Sequence, residues 1–282
     1  MKLAPRRAFP ETWPSQKPGH SGKLCPSRQW VRMNSTMSTV TPTGFLPDAT
    51  ATRSRLSLAG VLAVLVPLSL VAADVLASRV GPGPDILVGL CLIALLATVA
   101  RLAGLRLDDL GLARSTWAAG LRWGLGVAAL VATAYLAALA ITPLRASVAK
   151  VGAPTWPAAM VSAVILIPLG TVIHEEFAFR GLLFGVLRRR SGRRAAVLGS
   201  SAVFGCWHVV PALATGPTNA PMADAVGEGF GGAALRLAGT VLITALGGIV
   251  LCELRVRSGS LLAPILLHWA VNAGGVVFVL LA

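Results

Sequence analysis

The sequence predicts an all-α fold, a polytopic bundle of about seven transmembrane helices with a cytoplasmic N-terminus. Apolar residues make up 55% of the 282 residues, and charged residues only 13%. A soluble domain carries about a quarter charged residues, so most of this chain is expected where charge is costly. The basic residues lie between apolar stretches, which is the pattern of a membrane topology.

Seven segments have about the 20 mostly apolar residues that a membrane-spanning helix needs. They are residues 56–78, 85–104, 118–142, 158–187, 195–214, 236–254 and 260–281. Residues 1–53 are rich in Pro, Ser, Thr and Arg, and we expect a disordered basic cytoplasmic tail, with Met33 and Met37 as alternative starts. The remainder divides into N-terminal transmembrane helices at 54–150 and a second membrane domain at 157–282.

The orientation follows from arginines in the connections after the second, fourth and sixth predicted helices. These are Arg101, Arg106, Arg114, Arg188, Arg189, Arg190, Arg193, Arg194, Arg255 and Arg257. Cytoplasmic loops carry the excess of Lys and Arg, so these connections and the N-terminus are predicted to face the cytoplasm. The net charge of +14 therefore indicates a lipid bilayer as partner and no nucleic acid. We expect an integral protein of a bacterial plasma membrane, and nothing in the sequence indicates its oligomeric state.

The fourth predicted helix contains ionisable residues where it should cross lipid. Glu175, Glu176 and Arg180 lie in VILIPLGTVIHEEFAFRGLLFGVL, next to His174. A central charge costs at least about 2.5–3.5 kcal/mol on insertion, so such residues usually face a protein interior or a water-filled cavity. Glu176 and Arg180 share a helix face and can form an ion pair, whereas Glu175 points about 100° away.

Two later helices add imidazoles and an amide at four-residue spacing. Phe204 and His208 share a face of the fifth helix, and His268 and Asn272 share a face of the seventh. Each pair alone could be a core contact or an interhelical hydrogen bond. At 1.5 Å per residue, Glu175 lies roughly 20 Å from Arg188 and His208 roughly 21 Å from Arg194. His268 and Asn272 lie roughly 16 and 22 Å from Arg257. One shared site explains this agreement in depth better than three unrelated structural contacts.

The side chains at this depth suit hydrolysis of a peptide carbonyl. A carboxylate and an imidazole in a dry cavity can act as a general-base pair on water. A second imidazole and an amide can direct donors at a developing oxyanion. The segment is not the zinc motif H-E-x-x-H, because Ala178 stands where its second histidine would be.

The three motifs E-E-x-x-x-R, F-x-x-x-H and H-x-x-x-N, in this order, resemble those of the CAAX protease and bacteriocin-processing family of intramembrane endopeptidases. They occupy Glu175–Arg180, Phe204–His208 and His268–Asn272. The resemblance covers about 157–282 and implies that this part is a catalytic membrane domain acting on a membrane-associated peptide or protein.

The resemblance also implies a role for each residue of the motifs. Glu175 and His208 would activate the attacking water, His268 and Asn272 would hold the oxyanion, and Glu176 with Arg180 would support that geometry. No cofactor is favoured. The alternative is a zinc metalloprotease, in which Glu175, His208 and His268 supply the three ligands of a catalytic zinc.

Two other functions compete with this prediction. One is a non-catalytic membrane protein that binds a peptide, as in the immunity branch of the same family. The other is a transporter with Glu175 and the two histidines as a proton relay. The full set of Glu, His, His and Asn favours the enzyme, because a binding protein needs no general base. The lack of an internal repeat counts against the transporter.

Overall fold

The fold is all-helical throughout the described part of the chain. The computed structural model describes residues 49–80, 84–149, 152–214 and 229–282. In the first half the helices are α1 (Ala49–Val80), α2 (Pro84–Leu102), α3 (Leu107–Leu110), α4 (Trp117–Leu139) and α5 (Thr142–Ala149). In the second half they are α6 (Trp156–Val161), α7 (Ile173–Glu176), α8 (Phe184–Trp207), α9 (Val209–Ala214), α10 (Gly229–Ser258) and α11 (Leu262–Leu281).

Residues 156–191 form one continuous helical element, which we term the rod. Three π-helical stretches interrupt its α-helical geometry, at Ser162–Leu166, Pro168–Val172 and Phe177–Leu183. The rod ends inside α8 at Gly192, whose φ of 82° and ψ of −178° are not helical. A left-handed φ of this kind favours glycine, which has no Cβ to clash.

The seven predicted helices are all present. The fourth and fifth lie on either side of the break at Gly192, and the others correspond to α1, α2, α4, α10 and α11. Among the described residues, four helical stretches are long and apolar enough to cross a membrane: Leu107–Leu139, Trp156–Leu213, Gly229–Ser258 and Leu262–Leu281. Val61–Leu76 and Ile86–Leu102 are shorter apolar helices. The protein is therefore an integral membrane protein, and the side on which its N-terminus lies stays a prediction.

The predicted N-terminal tail lies outside the described residues except for positions 49–53. Those five residues form the start of α1, so the helix begins before residue 54.

Small residues set how closely the helices approach. α4 packs along α11, and α8 packs along α10. A Cβ on Gly124 would lie 2.6 Å from Leu266, and one on Gly205 would lie 2.7 Å from the carbonyl oxygen of Val241. Without a hydrophobic driving force between helices in lipid, such backbone approach supplies the packing energy. These two contacts position α8 and α11, which carry His208, His268 and Asn272.

α1 and α2 cover the rod with leucine, valine and alanine at four-residue spacing. The buried residues are Leu62, Val66 and Leu70 on α1 and Leu92, Leu96 and Ala100 on α2. They pack in one cluster with fully buried Phe179, Leu182 and Leu183 of the rod. The segment that carries the paired glutamates is therefore enclosed by the N-terminal helices.

The connector between α2 and α4 is fastened to the end of α10 by Arg255. Its Nη2 donates to the carbonyl oxygens of Asp108 at 3.2 Å and Asp109 at 3.1 Å. Gly111 ends α3 with a φ of 74°, and a Cβ there would lie 2.3 Å from the guanidinium. The guanidinium therefore occupies space that only a glycine leaves open.

Candidate active site

Glu176 and Arg180 form a buried ion pair one turn apart on the rod. Nη1 of Arg180 donates to Oε1 of Glu176 at 2.8 Å, and both side chains are 0% exposed. The guanidinium carbon also lies 4.0 Å from the ring centroid of Phe204. A desolvated cation over an aromatic face gains about 2 kcal/mol. The charge of each partner is thus compensated where water does not reach it.

His268 of α11 joins this pair across the helix interface. Its Nδ1 lies 2.8 Å from Oε1 of Glu176. A carboxylate oxygen only accepts, so Nδ1 carries the proton of this hydrogen bond. The other ring nitrogen, Nε2, lies 4.0 Å from Oε2 of Glu175. Glu176 therefore orients the imidazole so that its second nitrogen faces Glu175.

Glu175 is 4% exposed, and its Oε2 has no hydrogen-bond partner within the described ranges. Burying a carboxylate without a partner is costly, so this oxygen needs a specific explanation such as a catalytic role or a bound water. Glu176, His268 and Arg180 lie near enough to interact with it electrostatically. Asp74 of α1 does so as well.

His208 directly follows the end of α8 and packs against two aromatic rings. Its Nδ1 lies 2.9 Å from the carbonyl oxygen of Phe204, and its ring centroid lies 4.4 Å from that of Phe204 in an edge-to-face arrangement. The ring of Trp207 lies 4.7 Å away. A carbonyl oxygen accepts, so Nδ1 donates and Nε2 is left as the acceptor of the neutral ring. The predicted packing of Phe204 beneath this imidazole is present.

Only four of the six predicted site residues contact one another directly. Glu175, Glu176, Arg180 and His268 meet directly, and the ring of Phe204 contacts both Arg180 and His268. His208 interacts electrostatically with His268 and Arg180, but no hydrogen bond or ion pair joins it to Glu175 in the part of the chain that is described. Asn272 lies half-buried one turn beyond His268, without a hydrogen bond to another described residue.

Residues 154–274 match the family described as type II CAAX prenyl endopeptidase Rce1-like. This segment is therefore similar to that family, and we refer to it as the Rce1-like domain. The match confirms the resemblance that the three motifs indicated, and it contains all six predicted site residues. No curated protein and no solved structure matches the chain.

Sequence reasoning missed two groups that lie outside the Rce1-like domain. Asp74 is a single acid in an otherwise apolar helix, and that isolation was the available signal. Gly89 of α2 approaches the rod so closely that a Cβ there would lie 3.3 Å from Nδ1 of His174. His174 itself lies within the domain, is buried and leaves that nitrogen without a partner in the described structure. The sequence placed it beside Glu175 but gave it no role.

Among the described residues, Glu175, His208 and His268 do not form the three-ligand zinc site that the sequence left open. No three His, Cys, Asp or Glu side chains converge in metal-binding geometry among the described residues. Nδ1 of His268 donates to Glu176, which leaves only Nε2 of this ring to face a ligand. A catalytic zinc in a protein usually needs three such ligands and a water. The chemistry considered below therefore uses only the side chains of the chain.

Proposed function

We propose that this protein is an intramembrane endopeptidase that hydrolyses a peptide bond of a membrane-associated protein or peptide. One observation supports it best. An unpartnered carboxylate, Glu175, lies beside an imidazole that a buried Glu176–Arg180 pair holds in place. A protein that only binds a peptide needs no such base. The Rce1-like domain is named for endopeptidases, which agrees with this chemistry.

In the proposed reaction, Glu175 and His208 activate a water molecule. Glu175 takes a proton from the water molecule while the water oxygen attacks the carbonyl carbon of the substrate. The carbon becomes tetrahedral, and the carbonyl oxygen becomes an oxyanion. Glu175 then gives the proton to the leaving amine, and the C–N bond breaks to release an acid and an amine. His208, with Nε2 free to accept, orients the water.

His268 and Asn272 would hold the oxyanion from one face of α11. The amide of Asn272 has two N–H donors, and none is engaged by another described residue. Nδ1 of His268 donates to Glu176, so Nε2 donates only when the ring is an imidazolium. Glu176 is then its counter-ion. Removing one oxyanion donor typically costs about 10²–10³-fold in rate.

The substrate is proposed at the level of its class. The name of the matched family refers to prenylated CAAX sequences, and a membrane-anchored C-terminal peptide is the substrate type we propose by that analogy. We also propose that the protein works in a bacterial plasma membrane with its N-terminus in the cytoplasm.

Comparative proteomics of membrane fractions tests this function. Cells that carry Glu175→Gln should accumulate an uncut protein that wild-type cells cleave, while the variant remains in the membrane at wild-type level. Glu253→Gln is the matched control, because Glu253 is a partly exposed carboxylate of α10 that pairs with Arg193 and not with any of the six predicted site residues. That variant should cleave normally.

Purified protein then checks each role. Cleavage of the substrate so identified should fall at least about 10²-fold in Glu175→Gln and in His208→Ala, and a chelator should leave it unchanged. Cleavage that persists in Glu175→Gln would refute the general-base role. If no uncut protein accumulates in the Glu175→Gln strain, the result would count against cleavage and favour the alternative of peptide binding without hydrolysis.

A further inference from the structure

An apolar groove of about 390 Å³ lies between α4, the start of the rod and α11. Its walls carry almost only carbon. Six of the residues that line it are Leu136, Leu139, Met160, Val164, Val277 and Leu281. The mechanism above uses none of them.

The two polar groups in the groove wall are already satisfied. The hydroxyl of Tyr135 donates to the carbonyl oxygen of Val271 at 2.9 Å. Nε1 of Trp269 donates to the carbonyl oxygen of Ala163 at 2.7 Å. A polar ligand would therefore lose its hydrogen bonds to water without replacement, which is costly. Only a hydrocarbon fits the chemistry of these walls.

The shape of the groove suits one extended chain. Its wall on α11 runs from Trp269 to Leu281, which at 1.5 Å per residue is roughly 18 Å. The groove holds about 390 Å³ along that length, so it is narrow. A partner helix of that length, at about 10–12 Å across, has a larger volume than the groove and could only lie over its mouth.

The groove also contacts α11 at residues adjacent in sequence to His268 and Asn272. Trp269 follows His268 directly, and Ala273 follows Asn272, and both line the groove. α4, the rod and α11 all belong to stretches that are long and apolar enough to cross a membrane. Within a bilayer, lipid chains are the hydrocarbon present in largest excess, and they are already aligned with such helices.

We propose that one acyl chain of a bilayer lipid occupies this groove and packs against α11 behind His268 and Asn272. The chain fills the space between α4 and α11 beyond the point where Gly124 brings them together. It acts as a part of the active-site support that the polypeptide does not itself supply. This site is separate from the peptide-binding side of the proposed function.

Photo-crosslinking in vesicles tests the proposal without any measurement of cleavage. The probe is a phosphatidylcholine analogue with a diazirine in its acyl chain, and the adducts are mapped by mass spectrometry. Ala132→Phe places a ring in the groove, because Ala132 lines it. Ala134→Phe is the matched control on the same helix, where two residues turn the side chain by roughly 200° to an exposed face outside the lining.

In the wild type, adducts on Met160 and Trp269 should exceed adducts on exposed Leu242 of α10 at least fivefold. Ala132→Phe should remove that excess, and Ala134→Phe should keep it. Equal labelling of groove and surface in the wild type would overturn the proposal. So would an excess that survives Ala132→Phe in folded protein. If Ala132→Phe does not fold, Ala128→Leu, which narrows the same groove, provides the same comparison.

Discussion

Substitution of Arg180 by methionine should strongly destabilise the protein, because Glu176 would then keep its charge in a buried place. Removing one partner of a buried ion pair costs about 3–5 kcal/mol. Glu176 retains its hydrogen bond from His268, so the cost of leaving its charge unpaired should lie near the lower end of that range, at about 3 kcal/mol. Loss of the guanidinium over Phe204 adds up to about 2 kcal/mol. The total is therefore about 3–5 kcal/mol.

A thermal unfolding curve in detergent measures this cost. At about 2–4 °C per kcal/mol for a chain of this size, the midpoint should fall by roughly 10 °C, and the yield of membrane-inserted protein should fall with it. The double substitution Arg180→Met/Glu176→Gln should recover part of the loss, because it removes the uncompensated charge. Recovery in the double variant distinguishes charge burial from loss of side-chain volume.

Arg257→Met is the matched control. Arg257 and Glu253 have the same four-residue spacing on α10, but their side chains are 64% and 31% exposed and 3.9 Å apart. An exposed pair of this kind contributes about 0.3–0.5 kcal/mol, so the midpoint should move by no more than about 2 °C. Equal midpoints for Arg180→Met and Arg257→Met would refute the reasoning that burial gives the first pair its weight.

Substitutions at Gly205 and Tyr135 test the helix packing. Gly205→Ala should lower the unfolding midpoint by an amount equivalent to about 1–3 kcal/mol, because the new Cβ would meet the backbone of Val241. The control Gly239→Ala places its Cβ in open space and should keep or raise the midpoint, because alanine favours a helix by about 1 kcal/mol relative to glycine. A drop of similar size in both would contradict the packing argument. Tyr135→Phe loses one hydrogen bond to Val271 and should cost only about 0.6–1 kcal/mol in the same assay, and a larger loss would show that the hydroxyl has another role.

The sequence predicted those features of the fold and site that lie within a single helix. Apolar stretches gave the seven helices, and four-residue spacing gave the Glu176–Arg180 pair and the contact of Phe204 with His208. Each needs only the geometry of one helix, which is nearly the same in every protein. The π-helical stretches of the rod were not predicted, because they have no separate signal in an apolar run.

Contacts between helices were harder to predict. Distance from the arginines gave the depth of each polar group but not the direction in which its helix face points. The hydrogen bond from His268 to Glu176 and the lack of one between His208 and Glu175 both depend on that direction. Asp74 and Gly89 were missed for the same reason, since their place beside the site depends on how α1 and α2 pack on the rod. The catalytic roles of the six residues stay predictions.

The hydrogen bonds from Arg255 to the connector between α2 and α4 extend beyond the segment that matches the family. The Rce1-like domain begins at residue 154, yet Arg255 within it donates to carbonyls at Asp108 and Asp109, which precede it by more than forty positions. A gene fragment that encoded only the matched segment would carry all six predicted site residues and leave that guanidinium without these two acceptors. The segment that matches the family thus leaves out the acceptors that one of its buried arginines uses. Recombination that preserved function would have to carry the connector along with the motifs.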